Sequence, residues 1–265
     1  MERKKYTHPE IEIFNNLWRG GYYEGNPLDP VGASSYKRVG YLSVLYATYL
    51  GCIKPYVNND SVVLEIGPGR GAWTRCMLNA REIWCLDAKS REDNEIDKYL
   101  GSPKNLTYHK VDDFSCSTLP DNYFTYVFSF GTFCHISFEG TSQYARNMYP
   151  KLKSGAHCFW MLSDYDQSNR ISDNFKQYDI IFRTLPYFFY KIIEKLNKWK
   201  NDTLVGRSYL PRLDKNELDD IRPEGRWYNN GLERVAGLLE DSGYEVVEKD
   251  VGFALRDPII HFTKR

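Results

Sequence analysis

Residues 62–71 read Val62-Val63-Leu64-Glu65-Ile66-Gly67-Pro68-Gly69-Arg70-Gly71, an apolar run that meets three glycines at alternate positions. A short, nearly continuous aliphatic run bounded by turn residues predicts a strand buried on both faces, as in a parallel sheet. The glycines permit tight backbone turns and remove side chains that would block a ligand lying across the strand end. The spacing is GxGxG, not the GxGxxG of dinucleotide binders; bulky Trp73 follows, and no P-loop lysine is present. A helix is predicted on the far side of the turn, over Ala72–Leu78.

Three more segments bring polar residues to the same edge. Asp87 ends a second predicted strand, Glu82–Asp87, at a distance from Gly67 that suits a carboxylate accepting both hydroxyls of a ribose. A third strand, Leu106–Val111, runs into Asp112-Asp113-Phe114, where a carboxylate beside an aromatic ring suits an adenine amino group. A fourth, Tyr126–Phe130, opens onto Gly131-Thr132-Phe133-Cys134-His135. In open α/β sheets ligands bind outside the carboxyl ends of the strands, where the strand order reverses.

Farther along, strands are predicted over Ala156–Ser163, Glu245–Val251 and Ile259–Thr263, with helices over Gly140–Leu152 and Gly231–Asp241. In the last helix Leu232, Val235, Ala236, Leu238 and Leu239 form one apolar face, and Gly243 follows where a left-handed cap belongs. The alternation predicts an α/β fold with a doubly wound, mostly parallel sheet. Residues 61–163 form its core and 231–265 complete it. Residues 1–60, rich in Gly, Tyr and Pro with a helix at Val39–Tyr49, read as an N-terminal cover segment. Residues 164–230 read as a helical insertion after strand five, crowded with apolar residues between Phe175 and Trp199. A connection so far beyond the usual ~4–6 residues is expected to be a subdomain, a lid or the surface of a homodimer.

On LEIGPGRGAWT (64–74), CLDA (85–88), KVDDFS (110–115) and YVFSFGTFCHIS (126–137), the chain resembles the class I S-adenosylmethionine-dependent methyltransferases. The resemblance covers residues 55–163 and 231–265. It implies a Rossmann-like sheet of seven strands closed by a reversed C-terminal hairpin, and S-adenosyl-L-methionine as cofactor. It further implies Gly67, Gly69 and Gly71 near the methionine part, with Glu65 at the base of the turn. Asp87 falls on the ribose, Asp112 or Asp113 with Phe114 at the adenine, and Phe130 joins the cofactor-binding residues. The NPPY-type tetrapeptide of DNA and glutamine N-methyltransferases is absent after strand four, which counts against nucleic-acid and protein amide targets.

Methyl transfer from a sulfonium is an in-line displacement, and a hydroxyl acceptor gains from a base of near-neutral pKa. His135, just beyond strand four, is the candidate; the structural alternative is a histidine that packs the start of the next helix. Asp164 and Asp166, after strand five, are candidates for binding substrate hydroxyls, for the base, or for a divalent ion. Two carboxylates are few for a metal cage, so no metal is assigned. Tyr22, Tyr23 and Tyr36 lie in a Gly- and Pro-shaped segment that suits closure over cofactor or substrate, or else a surface arm. Arg226, with Arg207, Tyr209, Arg212, Trp227 and Tyr228, mixes cations with aromatics as a nucleotide sugar requires, or as a solvated lid face does.

The 265 residues carry 35 Lys+Arg against 35 Asp+Glu, a balance that argues against nucleic-acid or anionic-membrane partners. A mean hydropathy of -0.56 and the lack of a long apolar run exclude a spanning helix. Six scattered cysteines without a CxxC pair, and no apolar run after the charged N-terminus, point to the cytoplasm. The 21 Tyr, 14 Phe and 6 Trp suit pockets for polar organic ligands. The expectation is O-methylation of a small polar metabolite, a sugar or nucleotide-sugar hydroxyl, with His135 or Asp164 taking the proton. The alternatives are N-methylation of a small amine or phosphorylated metabolite, and a non-catalytic cofactor-binding partner subunit. The glycine spacing disfavours a nicotinamide-dependent reductase.

Overall fold

The computed structural model describes residues 6–17, 25–30, 43–170, 228–252 and 257–265. Helices α1 (Pro9–Leu17) and α2 (Val44–Thr48) precede a seven-stranded sheet. Its strands are β1 (Val62–Ile66), β2 (Glu82–Asp87), β3 (Leu106–Lys110), β4 (Phe124–Ser129), β5 (Leu152–Met161), β6 (Tyr244–Glu248) and β7 (Ile259–Lys264). Helices α3 (Ile96–Leu100), α4 (Phe138–Met148) and α5 (Leu232–Asp241) fall between them. The strand order is β3-β2-β1-β4-β5-β7-β6. Pairs from β3 through β5 are parallel, and β7 runs antiparallel to both β5 and β6. This is the expected doubly wound sheet with its reversed C-terminal hairpin, and its order reverses between β1 and β4. No helix among the described residues is long and apolar enough to cross a membrane.

Burial of β1 on both faces follows from the alternation of its side chains. Val62, Leu64 and Ile66 join a core layer with Tyr144, Met148, Val235 and Leu239, whereas Val63 joins Cys52, Ile53, Trp73 and Met77 on the opposite face. Each such aliphatic side chain stabilises the fold by roughly 1.5–3 kcal/mol.

Four elements differ from the sequence reading. The stretch 72–78 is not an α-helix; it forms turns and a 3₁₀ segment, Thr74–Met77. Residues 67–81 must return the chain along roughly 16 Å of parallel strand, and a 3₁₀ turn rises farther per residue than an α turn. Strand β5 starts at Leu152, not Ala156, because the polar Lys153-Ser154-Gly155 is taken up in a register shift against β4, with Gly155 at φ +77°. In the N-terminal region, α2 passes directly into a π-helical turn, Tyr49–Ile53, and residues 39–42 of the predicted helix lie outside the described residues. Helix α1 was not foreseen, although Pro9 at its first position and Glu10 and Glu12 in its first turn are start signals.

On the face of β5 and β7, His157 Nδ1 and His261 Nε2 lie 2.9 Å apart and share one hydrogen beneath the Tyr56 ring. Burial and the neighbouring His157 push His261 down to about 4. Burial also lowers His157, while Glu248, in register with His261, is exposed. A depressed imidazole stabilises the fold above its unfolded pKa, and that contribution is lost as pH falls through the folded value. The His261 share of stability is therefore expected to fall from about pH 6.5 toward 4, while Glu65, pushed up to about 7 by burial, contributes in the opposite direction over the same range. His261→Phe, which keeps the stacking on Phe159, should lose less stability than wild type as pH falls through this window; parallel melting curves of the two proteins would refute the assignment.

Candidate active site

The crevice between β1 and β4 is shaped by the glycine turn. Gly67, Gly69 and Gly71 all take positive φ, at +73°, +53° and +84°. The turn packs on the loop after β4, where Thr132 Oγ1 donates to Ile66 O at 3.1 Å and Ser129 Oγ to the same carbonyl at 2.9 Å. Phe130 caps the end of β4, half-buried, with its ring 4.6 Å from that of Trp73.

Glu65 lies beneath this turn, only 2% exposed. Its Oε2 accepts from Thr74 Oγ1 at 2.6 Å and from Cys85 Sγ at 3.8 Å, so it braces the turn from the core side. Burial pushes Glu65 up to about 7 against the pull of those two donors. The folded chain thus binds the proton more tightly than the unfolded chain does. The resulting stability is present below the usual carboxylate range and is lost as pH rises through about 7.

Asp87 reaches the crevice from the end of β2. Its Oδ1 accepts from Lys89 N at 2.8 Å and its Oδ2 from Gly69 N at 3.2 Å, which ties the glycine turn to the second strand. Burial raises its pKa, opposed by those amides and by the Asn94 side chain. The two amides leave further lone-pair sites on the carboxylate open. Asn94 Oδ1, and Asn15 Oδ1 on α1, are buried acceptors that find no partner among the described residues. A buried carboxylate with an open site, neighbouring unfilled acceptors and a side-chain-free turn together fit an adenosine-bearing ligand.

At the end of β3 the two aspartates separate. Asp113 Oδ1 accepts from Ser115 N at 2.9 Å within its own turn. Phe114 departs from expectation: it is 2% exposed in the core, its ring against those of His8 and Tyr144 at 4.6 and 5.2 Å. An aromatic residue here serves the packing of α4 and not an adenine face.

Sequence reasoning missed the strap that α1 forms across three strand ends. His8 N donates to Asp112 O at 2.7 Å, and Lys89 Nζ donates to Asn15 O at 2.8 Å. Glu10 accepts from Ser137 N at 2.9 Å and from Ser137 Oγ at 2.6 Å, and that same Oγ accepts from Gly140 N to cap α4. A carboxylate at the start of α4 also complements the helix dipole.

His135 ends a 3₁₀ turn, Phe133–His135, between β4 and α4; it is half-buried, its ring 5.9 Å from Phe14 of α1. Asp164 does not share its chemistry. Its Oδ1 accepts from Gln167 N and its Oδ2 from Leu232 N, both at 2.8 Å, so both oxygens cap helix starts and the base role is corrected to a structural one. Asp166 is exposed. Tyr22, Tyr23, Tyr36 and Arg226 lie outside the described residues.

Residues 64–160 match the family described as a methyltransferase domain. No protein of curated function matches the chain. Among solved structures, an S-adenosylmethionine-dependent methyltransferase of Mesorhizobium loti is 15% identical with a TM-score of 0.52, covering 84% of this chain and 98% of its own. One from Methanosarcina mazei is 14% identical with a TM-score of 0.50, covering 80% and 96%. The N-methyltransferase NodS of Bradyrhizobium japonicum is 12% identical with a TM-score of 0.50, covering 83% and 96%. At these identities the likeness is one of fold.

Proposed function

We propose that this chain, whose residues 64–160 match a methyltransferase domain, is a class I S-adenosylmethionine-dependent enzyme that methylates a hydroxyl of a small polar metabolite, a sugar or nucleotide sugar, with His135 as base. The observation that supports the reading is a half-buried imidazole, His135, on the turn after β4, in the loop whose Thr132 packs against the start of the glycine turn. Six free, buried cysteines suit the reducing cytoplasm.

The bound cofactor supplies an electrophilic methyl group on a positively charged sulfur. The chain's own residues supply the rest. Asp87 accepts from the ribose, Asp112 from the adenine, and the bare backbone of Gly67 to Gly71 admits the methionine part. Strap α1 excludes water from the strand ends, and Phe130 walls the crevice beside Trp73. His135 would take the hydroxyl proton at an imidazole nitrogen while the acceptor oxygen displaces the methyl carbon from its sulfur, and the residues around the strand ends would orient the acceptor. Alignment of this kind can supply much of the acceleration. Tyr22, Tyr23, Tyr36 and Arg226 complete the reading as acceptor-facing groups, Arg226 toward phosphate.

Turnover with a panel of nucleotide sugars and small amines tests the acceptor class. With the acceptor so found, His135→Ala is expected to lower kcat by about 10²–10⁴-fold, the range for a lost general base. Affinity for S-adenosylhomocysteine should stay unchanged. The fall in wild-type activity as the imidazole protonates should vanish in the variant; an unaltered pH–rate profile would remove His135 from the mechanism.

A further inference from the structure

Resting on the reading of His135 as base, we infer that Asn230 is a positioning residue that fixes the His135 turn from the stem of the 164–230 insertion. Asn230 is 0% exposed. Its Nδ2 donates to Phe133 O at 2.7 Å and to Ile136 O at 3.1 Å, the carbonyls that bracket Cys134 and His135. Two residues earlier, Tyr228 N donates to Cys134 O at 2.9 Å. Of the carbonyls from Phe133 to Ile136, three are therefore held by one short segment. Thr141 Oγ1, from α4, approaches Asn230 Oδ1 at 3.5 Å, which orients the amide with its nitrogen toward the turn.

The same segment is anchored at its other side to the end of β5. Ser163 Oγ donates to Tyr228 O, Gly231 N donates to Ser163 O at 3.1 Å, and Tyr165 N donates to Asn229 Oδ1 at 3.1 Å. Residues 163–165 and 228–231 thus close the neck of the insertion, and that neck grips the turn carrying the imidazole. The turn has little stiffness of its own. A three-residue 3₁₀ segment is a weak element; its own backbone contributes His135 N to Thr132 O at 2.9 Å and Ile136 N to Phe133 O at 3.3 Å. A side-chain amide has two hydrogens in one plane, and here both are spent on this turn. Alanine would leave both carbonyls without that donor and the imidazole free to shift, a displacement to which proton transfer is sensitive.

The test uses the full chain bound to S-adenosylhomocysteine and needs no acceptor. It reads carbethoxylation of His135 by diethylpyrocarbonate, located by peptide mass, and titration of the His135 ring protons by NMR. In Asn230→Ala, His135 should react several-fold faster and its titration midpoint should move, while S-adenosylhomocysteine affinity holds. Volume-matched Asn230→Asp, whose neutral acid keeps one donor, should lie between wild type and alanine; if the alanine variant does not fold, this variant decides by the same two readouts. Unchanged reactivity and titration of His135 in the folded variants would overturn the proposal. So would a loss of cofactor affinity with no change at His135. Failure of the base reading is separate, because it appears as retained turnover in His135→Ala while both Asn230 readouts still move.

Discussion

Gly67→Ala should abolish measurable binding of S-adenosylhomocysteine in calorimetry and lower the melting temperature at the same time. The added Cβ would sit 1.9 Å from Thr132 Oγ1 and 2.7 Å from Thr132 Cγ2. Thr132 cannot simply rotate away, because its hydroxyl is donated to Ile66 O. A residue with a side chain at φ +73° also carries a left-handed penalty of about 1–2 kcal/mol, and overpacking adds about 1–3 kcal/mol. The backbone must move to escape, and on the proposed reading it is this backbone that faces the ligand. Shape lost from the crevice then adds to stability lost from the fold, and a rise of at least about 100-fold in Kd, some 2.7 kcal/mol, is expected. Gly71→Ala is the internal comparison. There the φ of +84° carries the same left-handed penalty, but the Cβ meets apolar side chains, Leu100 Cδ1 and Cγ at 2.8 and 2.9 Å and Ile96 Cγ1 at 3.1 Å, instead of a hydrogen-bonded threonine, so the fold should suffer more than the ligand. If Gly67→Ala binds S-adenosylhomocysteine like wild type, the cofactor does not lie on this turn.

What could be read in advance was whatever rests on local chemistry. The run Val62–Ile66 is apolar but for Glu65 because both its faces are covered, and the positive φ of Gly67, Gly69 and Gly71 is written in the glycines themselves. The acid at Asp87 was legible for the same reason: it closes a buried strand, where a charge needs a purpose. What could not be read depends on partners distant in sequence. Asp164 looks like an available acid until α5 starts beside it and Leu232 N takes its Oδ2. Phe114 looks like an adenine platform until Tyr144 and His8 enclose it. Glu10 had no evident role, because its partner Ser137 is 127 residues away. Asn230 was equally silent: nothing in Tyr228-Asn229-Asn230-Gly231 announces that the amide reaches the carbonyls of Phe133 and Ile136.

Asp87→Asn should separate binding from folding, which Gly67→Ala does not. In wild type, each carboxylate oxygen accepts a backbone N–H, from Lys89 on one side and Gly69 on the other. An amide can satisfy only one of them; its nitrogen faces the other donor and leaves that N–H unpaired, at a cost of about 1–3 kcal/mol. Against this, the carboxylate is held buried and its pKa is raised, so the neutral amide also relieves the burial of a charge. These two effects on stability oppose each other, and the melting temperature should change little. No such offset protects the cofactor. On the proposed reading the ribose loses a charged acceptor, and the amide of Gly69 is freed to draw the glycine turn out of register with β2. A hydrogen bond to a charged group is worth about 1.5–3 kcal/mol, so affinity for S-adenosylhomocysteine should fall by about one to two orders of magnitude from that loss alone, and further with the turn displaced. Adenosine alone, competing for the same crevice, should lose affinity in parallel, because the lost contact lies on the ribose and not on the methionine part. Wild-type affinity for both ligands in a folded Asp87→Asn chain would show that this carboxylate only braces the glycine turn, and that the ribose is held elsewhere.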